Sequence, residues 1–219
     1  MMSKGKRLVD LVIASGALML LSPLFAAVAA AIKLDDGGPV FFRQVRVGRQ
    51  GRQFRIWKFR TMVADAERRG TQLTMSVDPR VTRVGRWLRG SKLDEIPQFL
   101  NVVTGEMSLV GPRPEVPRYV ELSDPDARRI LKLTPGIFHA AWLEFPDESD
   151  LLARAADPEH YYLRELLPEK YRVNLEYAAT ANVLRDLGLI VRTLCKIPKR
   201  RRSRSHAAWP TAQRSPRWR

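Results

Sequence analysis

The clearest hydrophobic pattern in the chain is one long apolar run near its start. Leu11–Ile32 contains 22 residues without a charge, and a helix of that length crosses a hydrocarbon core of about 30 Å. Ser22 and Pro23 stand in its middle. Proline removes a backbone hydrogen bond and clashes with the preceding turn, while a serine hydroxyl satisfies a carbonyl freed at such a break. The pattern therefore predicts a helix broken at Ser22-Pro23.

Basic residues flank this run on both sides. Lys4, Lys6 and Arg7 precede it, and Lys33 and Arg43 follow it. Because basic flanks favour the cytoplasmic side of a membrane, a helix that enters, bends and leaves by the same face satisfies both flanks. A single span satisfies only one of them. We expect a re-entrant membrane helix, with a kinked single span and a buried helix of a soluble core as the alternatives.

The hydrophobic spacing beyond the run changes to that of strands and then of helices. Val40–Arg46 and Gln53–Lys58 flank a glycine turn and predict a short β-hairpin. Helical spacing follows in the segments 65–69, 87–100, 125–133, 168–180 and 183–197, with a short strand at 107–110 between them. The last helix is amphipathic, so it either packs on the core or lies flat at a lipid interface.

Composition adds a strong basic bias to this picture. Lys plus Arg number 38 against 23 Asp plus Glu, a net charge of +15, and the single cysteine, Cys195, excludes a disulfide-stapled fold or a four-cysteine zinc site. Nine of the basic residues and no acid lie in Lys196–Arg219. This tail is either a solvated disordered extension or an anchor for anionic lipid. It lacks a groove-reading motif, which disfavours nucleic-acid binding.

Three short motifs suggest chemistry. Asp94-Glu95 precedes Pro97, a residue favoured in the first turn of a helix; the carboxylates are either ordinary helix caps, with Ser91 in a capping box, or a reactive pair. Arg113 stands between two prolines, where a rigid turn either simply turns the chain or presents a guanidinium to phosphate. Lys58 and Arg60 alternate around an aromatic, as on a solvated strand face or in an anion site.

Taken in order, these motifs give the chain a resemblance to a known family, the bacterial sugar transferases, also described as monotopic phosphoglycosyl transferases or undecaprenyl-phosphate sugar-phosphate transferases. The matching residues run through nearly the whole chain before the tail. They are Lys6-Arg7 with Asp10, Ser22-Pro23, Gly38-Pro39-Val40-Phe41-Phe42-x-Gln44-x-Arg46-x-Gly48, Lys58-Phe59-Arg60-Thr61-Met62, Asp78-Pro79-Arg80, Leu93-Asp94-Glu95-Ile96-Pro97-Gln98, Asn101-Val102, Met107-Ser108-Leu109-Val110-Gly111-Pro112-Arg113-Pro114, Pro135-Gly136-Ile137, Tyr161-Tyr162 and the Asp186 helix.

The resemblance implies transfer of a sugar-1-phosphate from a nucleotide diphosphate sugar, by family habit a UDP-sugar, to polyprenyl phosphate, with release of the nucleoside monophosphate. It implies that Asp94 is the nucleophile of a covalent phosphosugar intermediate and that Glu95 supports the site and its Mg²⁺, with both carboxylates as metal ligands. The substrate- and phosphate-binding residues that we expect from it are Arg113, Arg89, Lys58, Arg60 and Asp186. Magnesium neutralises phosphoryl oxygens so that a carboxylate can approach a phosphate.

The expected fold is α+β: a membrane-embedded monotopic domain with the re-entrant helix at residues 1–36, a catalytic domain on the cytoplasmic face of the bacterial inner membrane at 37–197, and the basic tail at 198–219. Some relatives carry a large N-terminal multi-span domain, so we expect this chain to be the minimal catalytic form. Its pattern departs from the family at Lys92, often a serine, and at Phe138-His139, commonly Thr-Gly.

Two other functions compete with the enzyme at this stage. The charge and the arginine-rich tail suggest a membrane-tethered nucleic-acid binder, and the same membrane insertion suits a catalytically silent scaffold for polysaccharide assembly. The sugar, the pathway and the oligomeric state are left open by the residues.

Overall fold

The computed structural model describes residues 3–66, Leu73 and 78–200, with side chains as far as Ile197. The apolar run forms two helices, α1 (Lys4–Leu20) and α2 (Ser22–Asp36), which meet at a bend of 58°. Ser22 Oγ donates to the Met19 carbonyl at 2.8 Å, so the predicted break and the role of its serine are confirmed. Among the described helices none alone has the length and apolarity to cross a bilayer, whereas this bent pair together meets that measure of length and composition.

Polar contacts fix the start of α1 to the rest of the chain. Arg7 donates to the carbonyls of Val102 and Val103. The buried Asp10 carboxylate accepts from Ser108 Oγ at 2.7 Å and from the Leu109 backbone N–H at 3.4 Å. Because buried polar groups are costly without partners, these bonds set the position of α1.

The end of α2 is fixed to the same body. Asp36 forms a bidentate ion pair with Arg60, and Asp35 accepts from the Val84 backbone N–H at 3.0 Å. Val28 and Ile32 of α2 are buried in a small apolar cluster with Phe59 and Leu88. Both ends of the bent pair therefore rest on one folded unit.

The predicted hairpin is confirmed. Strands β1 (Phe41–Val47) and β2 (Gln53–Phe59) are antiparallel, with Phe42 opposite Lys58. Between them, Gln50 and Gly51 adopt positive φ, of 59° and 74°, which lets the turn close within a few residues.

The predicted helix over 87–100 is wrong in detail, because three elements share this segment: α3 (Arg83–Ser91), a 3₁₀ helix (Leu93–Gln98) and α4 (Phe99–Thr104). Lys92 separates the first two with φ of 61°, a left-handed conformation that ends an α-helix and is uncommon for a residue other than glycine. The alternative that Ser91 forms a capping box is wrong, since Ser91 Oγ donates back to the Trp87 carbonyl.

A second, two-stranded sheet lies in the centre of the fold. Strand β3 (Ser108–Val110) pairs in parallel with β4 (Gly136–Phe138), and a Cβ added at Gly136 would lie 2.1 Å from the Gly111 nitrogen. Glycine is therefore required for the two chain segments to approach. The sequence predicts β3 but misses β4, because Pro135-Gly136 indicates a turn and the pairing with β3 is not local in the chain.

Helices make up most of the chain after β3. They are α5 (Pro125–Ile130), α6 (Ala140–Glu144), α7 (Glu148–Arg154), α8 (Pro158–Tyr161), α9 (Leu167–Thr180) and α10 (Val183–Arg200), with a π-helical segment, Tyr162–Leu166, before α9. The helices predicted at 125–133, 168–180 and 183–197 are confirmed. The first helix is three residues shorter than predicted, and the last helix is three residues longer. The mixture of helices and small sheets agrees with the α+β class. Most of the helix predicted at 65–69 and the tail from residue 201 lie outside the described residues.

The main apolar core surrounds β3. Met107 and Leu109 are buried there with Leu166 of the π-helical segment and Leu189 of α10. On the opposite side of α10, Leu184 is 82% and Val191 59% exposed. The amphipathic helix thus packs one stripe on the core and leaves a second apolar stripe uncovered.

We expect Asp10→Ala to lower the thermal unfolding midpoint of the detergent-solubilised protein. The substitution leaves Ser108 Oγ and the Leu109 N–H buried without their acceptor, at a cost of roughly 1–3 kcal/mol. Asp126→Ala, which changes an exposed carboxylate in an ion pair with Arg129, is the control, and its midpoint should stay close to that of the wild type. Equal midpoints for both variants would contradict the anchoring role of Asp10.

Candidate active site

The predicted carboxylate pair lies in the first turn of the 3₁₀ helix, directly after the left-handed residue Lys92. Asp94 is 7% exposed, and its Oδ1 is buried with no hydrogen-bond partner among the described residues. Burial, and then the neighbouring charge of Glu95, raise the pKa of Asp94 above its ordinary value. An oxygen of this carboxylate is thus free of competing protein bonds.

Glu95 has the opposite electrostatic environment. Lys58 Nζ donates to its Oε1 at 2.9 Å, and Arg113 donates to Oε1 at 2.7 Å and to Oε2 at 3.4 Å. Burial by itself would raise the pKa of Glu95, but the charges of Arg113 and Lys58 outweigh it and hold the pKa well below its usual range. Adjacent carboxylates thereby have pKa values that move in opposite directions, an arrangement that gives two acids separate tasks.

Lys58 lies on strand β2, which places its ammonium group beside the carboxylate pair. The buried Asn101 of α4 accepts from the Trp57 N–H at 2.9 Å and donates to the Arg55 carbonyl at 3.0 Å, so its amide takes the place of a neighbouring strand. Burial lowers the pKa of Lys58 to about 8, despite the opposing charge of Glu95. The ammonium group is consequently held in the site at the cost of its hydration.

Arg113 lies on the turn after β3, which places its guanidinium beside Glu95. The hairpin holds this turn from outside: the Val47 N–H donates to the Glu115 carbonyl at 2.8 Å, and Arg46 donates to the Pro114 carbonyl at 3.1 Å. The charge of Glu95 raises the pKa of Arg113 further above its already high value, so this guanidinium stays charged at every working pH.

A buried polar network supports the turn from behind. Tyr162 donates to Glu115 at 2.7 Å, Lys170 donates to the Tyr162 hydroxyl at 3.0 Å, and Lys170 also pairs with Glu115 at 3.4 Å and with Glu148 at 3.3 Å. The Lys170 side chain is 4% exposed. Because such groups are costly to bury unless each is paired, the network restrains the backbone that carries Arg113.

Further polar atoms around the pair are left without hydrogen bonds. In the described part of the chain these include Arg89 Nη1, Arg46 Nε and His139 Nδ1, all buried. The charges of Arg89 and Lys92 both act on Asp94, and that of Arg46 acts on Lys58. Cations therefore outnumber the carboxylates around Asp94 and Glu95, and such a site is suited to a ligand with several negative charges.

Two of the predicted phosphate-binding residues have other partners. Arg60 is buried, and its guanidinium bonds to Asp36 and to the carbonyls of Pro39 and Met62, which fixes the end of α2. Asp186 accepts from Lys6 and, at 2.8 Å, from the Tyr177 hydroxyl, which ties α10 to α1 and α9. The structure brings Lys58, Arg89 and Arg113 to the carboxylate pair, whereas the contacts of Arg60 and Asp186 are structural.

Arg46, Lys92 and His139 have no predicted role in the site. Arg46 and Lys92 stand within or next to matched motifs, so their positions were a usable signal. His139 offered only its departure from the family pattern, because its burial depends on how β4 pairs with β3.

The family model described as bacterial sugar transferase matches residues 1–200. The chain belongs to the bacterial sugar transferase family. The family resemblance inferred from the motifs is thereby confirmed.

Several curated bacterial sugar transferases are similar to this chain. It is 39% identical over 197 residues to the UDP-glucose:undecaprenyl-phosphate glucose-1-phosphate transferase of Escherichia coli (strain K12), covering 87% of this chain and 39% of that protein. It is 40% identical over 168 residues to the UDP-N-acetylgalactosamine-undecaprenyl-phosphate N-acetylgalactosaminephosphotransferase of Aeromonas hydrophila, covering 73% of this chain and 39% of that protein.

A shorter relative is covered more fully. The exopolysaccharide production protein ExoY of Sinorhizobium fredii (strain NBRC 101917 / NGR234) is 39% identical over 172 residues, which cover 72% of this chain and 76% of that protein. The chain thus spans about two fifths of the length of the first two relatives and about three quarters of the third.

We expect Lys58 to lose its proton with a pKa of about 8, because burial lowers the pKa from that of an ordinary lysine. Competitive acetylation at a series of pH values, followed by mass spectrometry, measures this directly, with the exposed Lys132 as internal reference. In Glu95→Gln the loss of the carboxylate charge that raises the pKa should move the Lys58 profile to lower pH. A Lys58 profile that is the same in both proteins would contradict the ion pair.

Proposed function

We propose that this chain transfers a sugar-1-phosphate from a UDP-sugar to undecaprenyl phosphate and releases UMP. The observation that carries the proposal is the buried Asp94 carboxylate, with an oxygen free of protein bonds, beside a Glu95 that two cations hold ionised. The printed activities of the Escherichia coli and Aeromonas hydrophila relatives, which name UDP-sugars and undecaprenyl phosphate, support the choice of substrates.

The first half of the reaction forms a bond to the protein. An Asp94 carboxylate oxygen attacks the phosphorus that carries the sugar, the bond from that phosphorus to the bridging oxygen breaks, and UMP departs with the electron pair. In the second half, a phosphate oxygen of undecaprenyl phosphate attacks the same phosphorus and releases the carboxylate. A covalent step lets a water-soluble donor and a lipid acceptor use the same oxygen in turn.

The cations around the pair account for binding of the diphosphate. Lys58, Arg113 and Arg89 offset the negative charge of phosphoryl oxygens, so that an anionic nucleophile can approach. The planar guanidinium of Arg113 suits bidentate contact with phosphate, and the proline on each side limits its backbone. Because Glu95 holds Lys58 and Arg113 before substrate arrives, these side chains are already in place.

Magnesium fits the oxygen ligands of this site. Mg²⁺ in proteins takes one or two carboxylates and completes its shell with substrate phosphate and water; the buried, unpartnered Oδ1 of Asp94 is such a ligand, and Glu95 stands next to it in the chain. The ion would be held by Asp94 and Glu95, and when bound it neutralises phosphoryl charge. Among the described residues no group of three or more His, Cys, Asp or Glu side chains forms a metal site.

The bent helix pair supports a location at the inner membrane, with the site on the cytoplasmic face. Both ends of the pair are anchored to the body that carries Asp94, while Met19 and Leu20 beside the bend are 78% and 80% exposed. A re-entrant helix pair buries these apolar residues in lipid and leaves both basic flanks on one side. The exposed apolar stripe of α10 would lie at the interface.

We expect Asp94→Asn to lower UMP release at least roughly 10³-fold, because an amide cannot serve as the nucleophile. With UDP-sugar and no lipid acceptor, intact mass spectrometry should find a sugar-phosphate adduct on the wild type but not on this variant. Asp126→Asn, an exposed acid, is the matched control.

Equal UMP release in wild type and Asp94→Asn would eliminate the proposed nucleophile. Turnover without an adduct would instead indicate direct attack by the lipid phosphate. Absence of UMP release from the wild type with every UDP-sugar would favour a scaffold role.

Topology is tested by single cysteines in a Cys195→Ser background. A membrane-impermeant maleimide should label Lys4→Cys and Lys33→Cys in inside-out vesicles and neither in spheroplasts, since both exposed positions flank the helix pair on one side. Met19→Cys at the bend should resist labelling in both. Labelling of one flank only in spheroplasts would establish a spanning helix and reject the re-entrant arrangement.

A further inference from the structure

His139 stands at the edge of the central sheet where the site lies. It follows β4 directly, and Arg113 follows the parallel neighbour β3 by three residues. The carboxyl ends of parallel strands meet at the same edge of a sheet, where ligands bind in open α/β sheets. The Gly111 N–H donates to the Phe138 carbonyl at 3.0 Å, so the segments that carry Arg113 and His139 are joined beyond the strands.

The imidazole is enclosed and only partly satisfied. His139 is 5% exposed, and its Nδ1 is buried without a hydrogen-bond partner among the described residues. Burial, followed by the charges of Arg113 and Lys170, holds the pKa of His139 well below its ordinary value. The ring is therefore neutral at physiological pH, and a buried polar nitrogen without a partner is costly unless a ligand supplies one.

We propose that His139 contacts a hydroxyl or acetamido group of the donor sugar and helps to determine which sugar is transferred. The inference rests on the proposed function. The charges of Arg113, Glu95 and Lys92 act on the imidazole. Arg113 bonds to Glu95, and Glu95 is the chain neighbour of the proposed nucleophile, which attacks the phosphorus that carries the sugar. Its position thus places it beside the part of the donor that varies between substrates.

The sugar suits this nitrogen better than the diphosphate does. The cationic side chains of Lys58, Arg113 and Arg89 serve the phosphoryl oxygens, which are stronger partners for cations than for a neutral ring. A neutral imidazole has one donor and one acceptor nitrogen, and a hydroxyl, which both donates and accepts, pairs with either. Contact with a hydroxyl gives strong discrimination, because a sugar that lacks it leaves the buried nitrogen unpaired.

The test compares the full-length wild type with His139→Ala and His139→Asn, in membrane vesicles with undecaprenyl phosphate. The donors are UDP-glucose, UDP-galactose, UDP-N-acetylglucosamine, UDP-N-acetylgalactosamine and deoxy analogues of the preferred one, with UMP release as readout. Inhibition by UDP, which carries no sugar, reports contacts to the nucleotide and phosphates. His160→Ala, an exposed histidine on α8, is the matched control.

We expect His139→Ala to lower kcat/KM for the preferred sugar roughly 10- to 100-fold, with less loss for the poorer donors and unchanged inhibition by UDP. His139→Asn should regain part of the preference. One deoxy analogue should lose its penalty in His139→Ala, since both partners of the bond are then absent. Thermal unfolding midpoints show whether each variant is folded.

An equal loss for all donors, accompanied by weaker inhibition by UDP, would place the imidazole on the diphosphate and overturn the proposal. Unchanged relative rates in a folded His139→Ala would do the same and indicate packing only. If His139→Ala does not fold, His139→Asn alone decides between these results. Failure of the wild type with every donor would reject the proposed function itself, an outcome distinct from the loss of this inference.

Discussion

The ion pairs that Lys58 and Arg113 make with Glu95 are the interaction on which the site depends. They bring together a β-hairpin, a 3₁₀ helix and the turn after a central strand, which are distant in the chain. They also separate the properties of two adjacent carboxylates: Glu95 stays ionised, while burial and the charge of Glu95 raise the pKa of Asp94. Glu95 thus holds the two cations in place, and Asp94 keeps an oxygen that makes no hydrogen bond to the described residues.

The bent helix pair and the site share one framework. Asp10 of α1 bonds to Ser108 at the start of β3, and the turn at the end of that short strand carries Arg113. Arg60, two residues beyond Lys58, holds the end of α2 through Asp36. The residues that anchor the two helices, Ser108 and Arg60, are therefore separated by only a few positions from Arg113 and Lys58 of the site.

The sequence predicts the features that depend on neighbouring residues and misses those that depend on distant ones. The Ser22-Pro23 break and the hairpin follow from local geometry. The 3₁₀ helix does not, because apolar residues at helical spacing hide the reversal at Lys92, a non-glycine residue with positive φ. The partners of Asp186, above all Lys6, arise from packing of the two ends of the chain. Asp94 and Glu95 were found through a motif, but their opposite pKa shifts follow only from which cations reach each oxygen.

In the ligand-free site, the Glu95 carboxylate occupies Lys58 and Arg113, so any other anion must compete with it for these two cations. A free orthophosphate ion must displace a tethered carboxylate whose effective concentration is high, whereas a diphosphate spans several cations and exchanges with it more favourably. In the proposed reaction, the Glu95 carboxylate is in place to bond again to Lys58 and Arg113 when the nucleoside monophosphate leaves. Under the proposed function, the same ion pairs would both disfavour abundant small anions and assist release of the product.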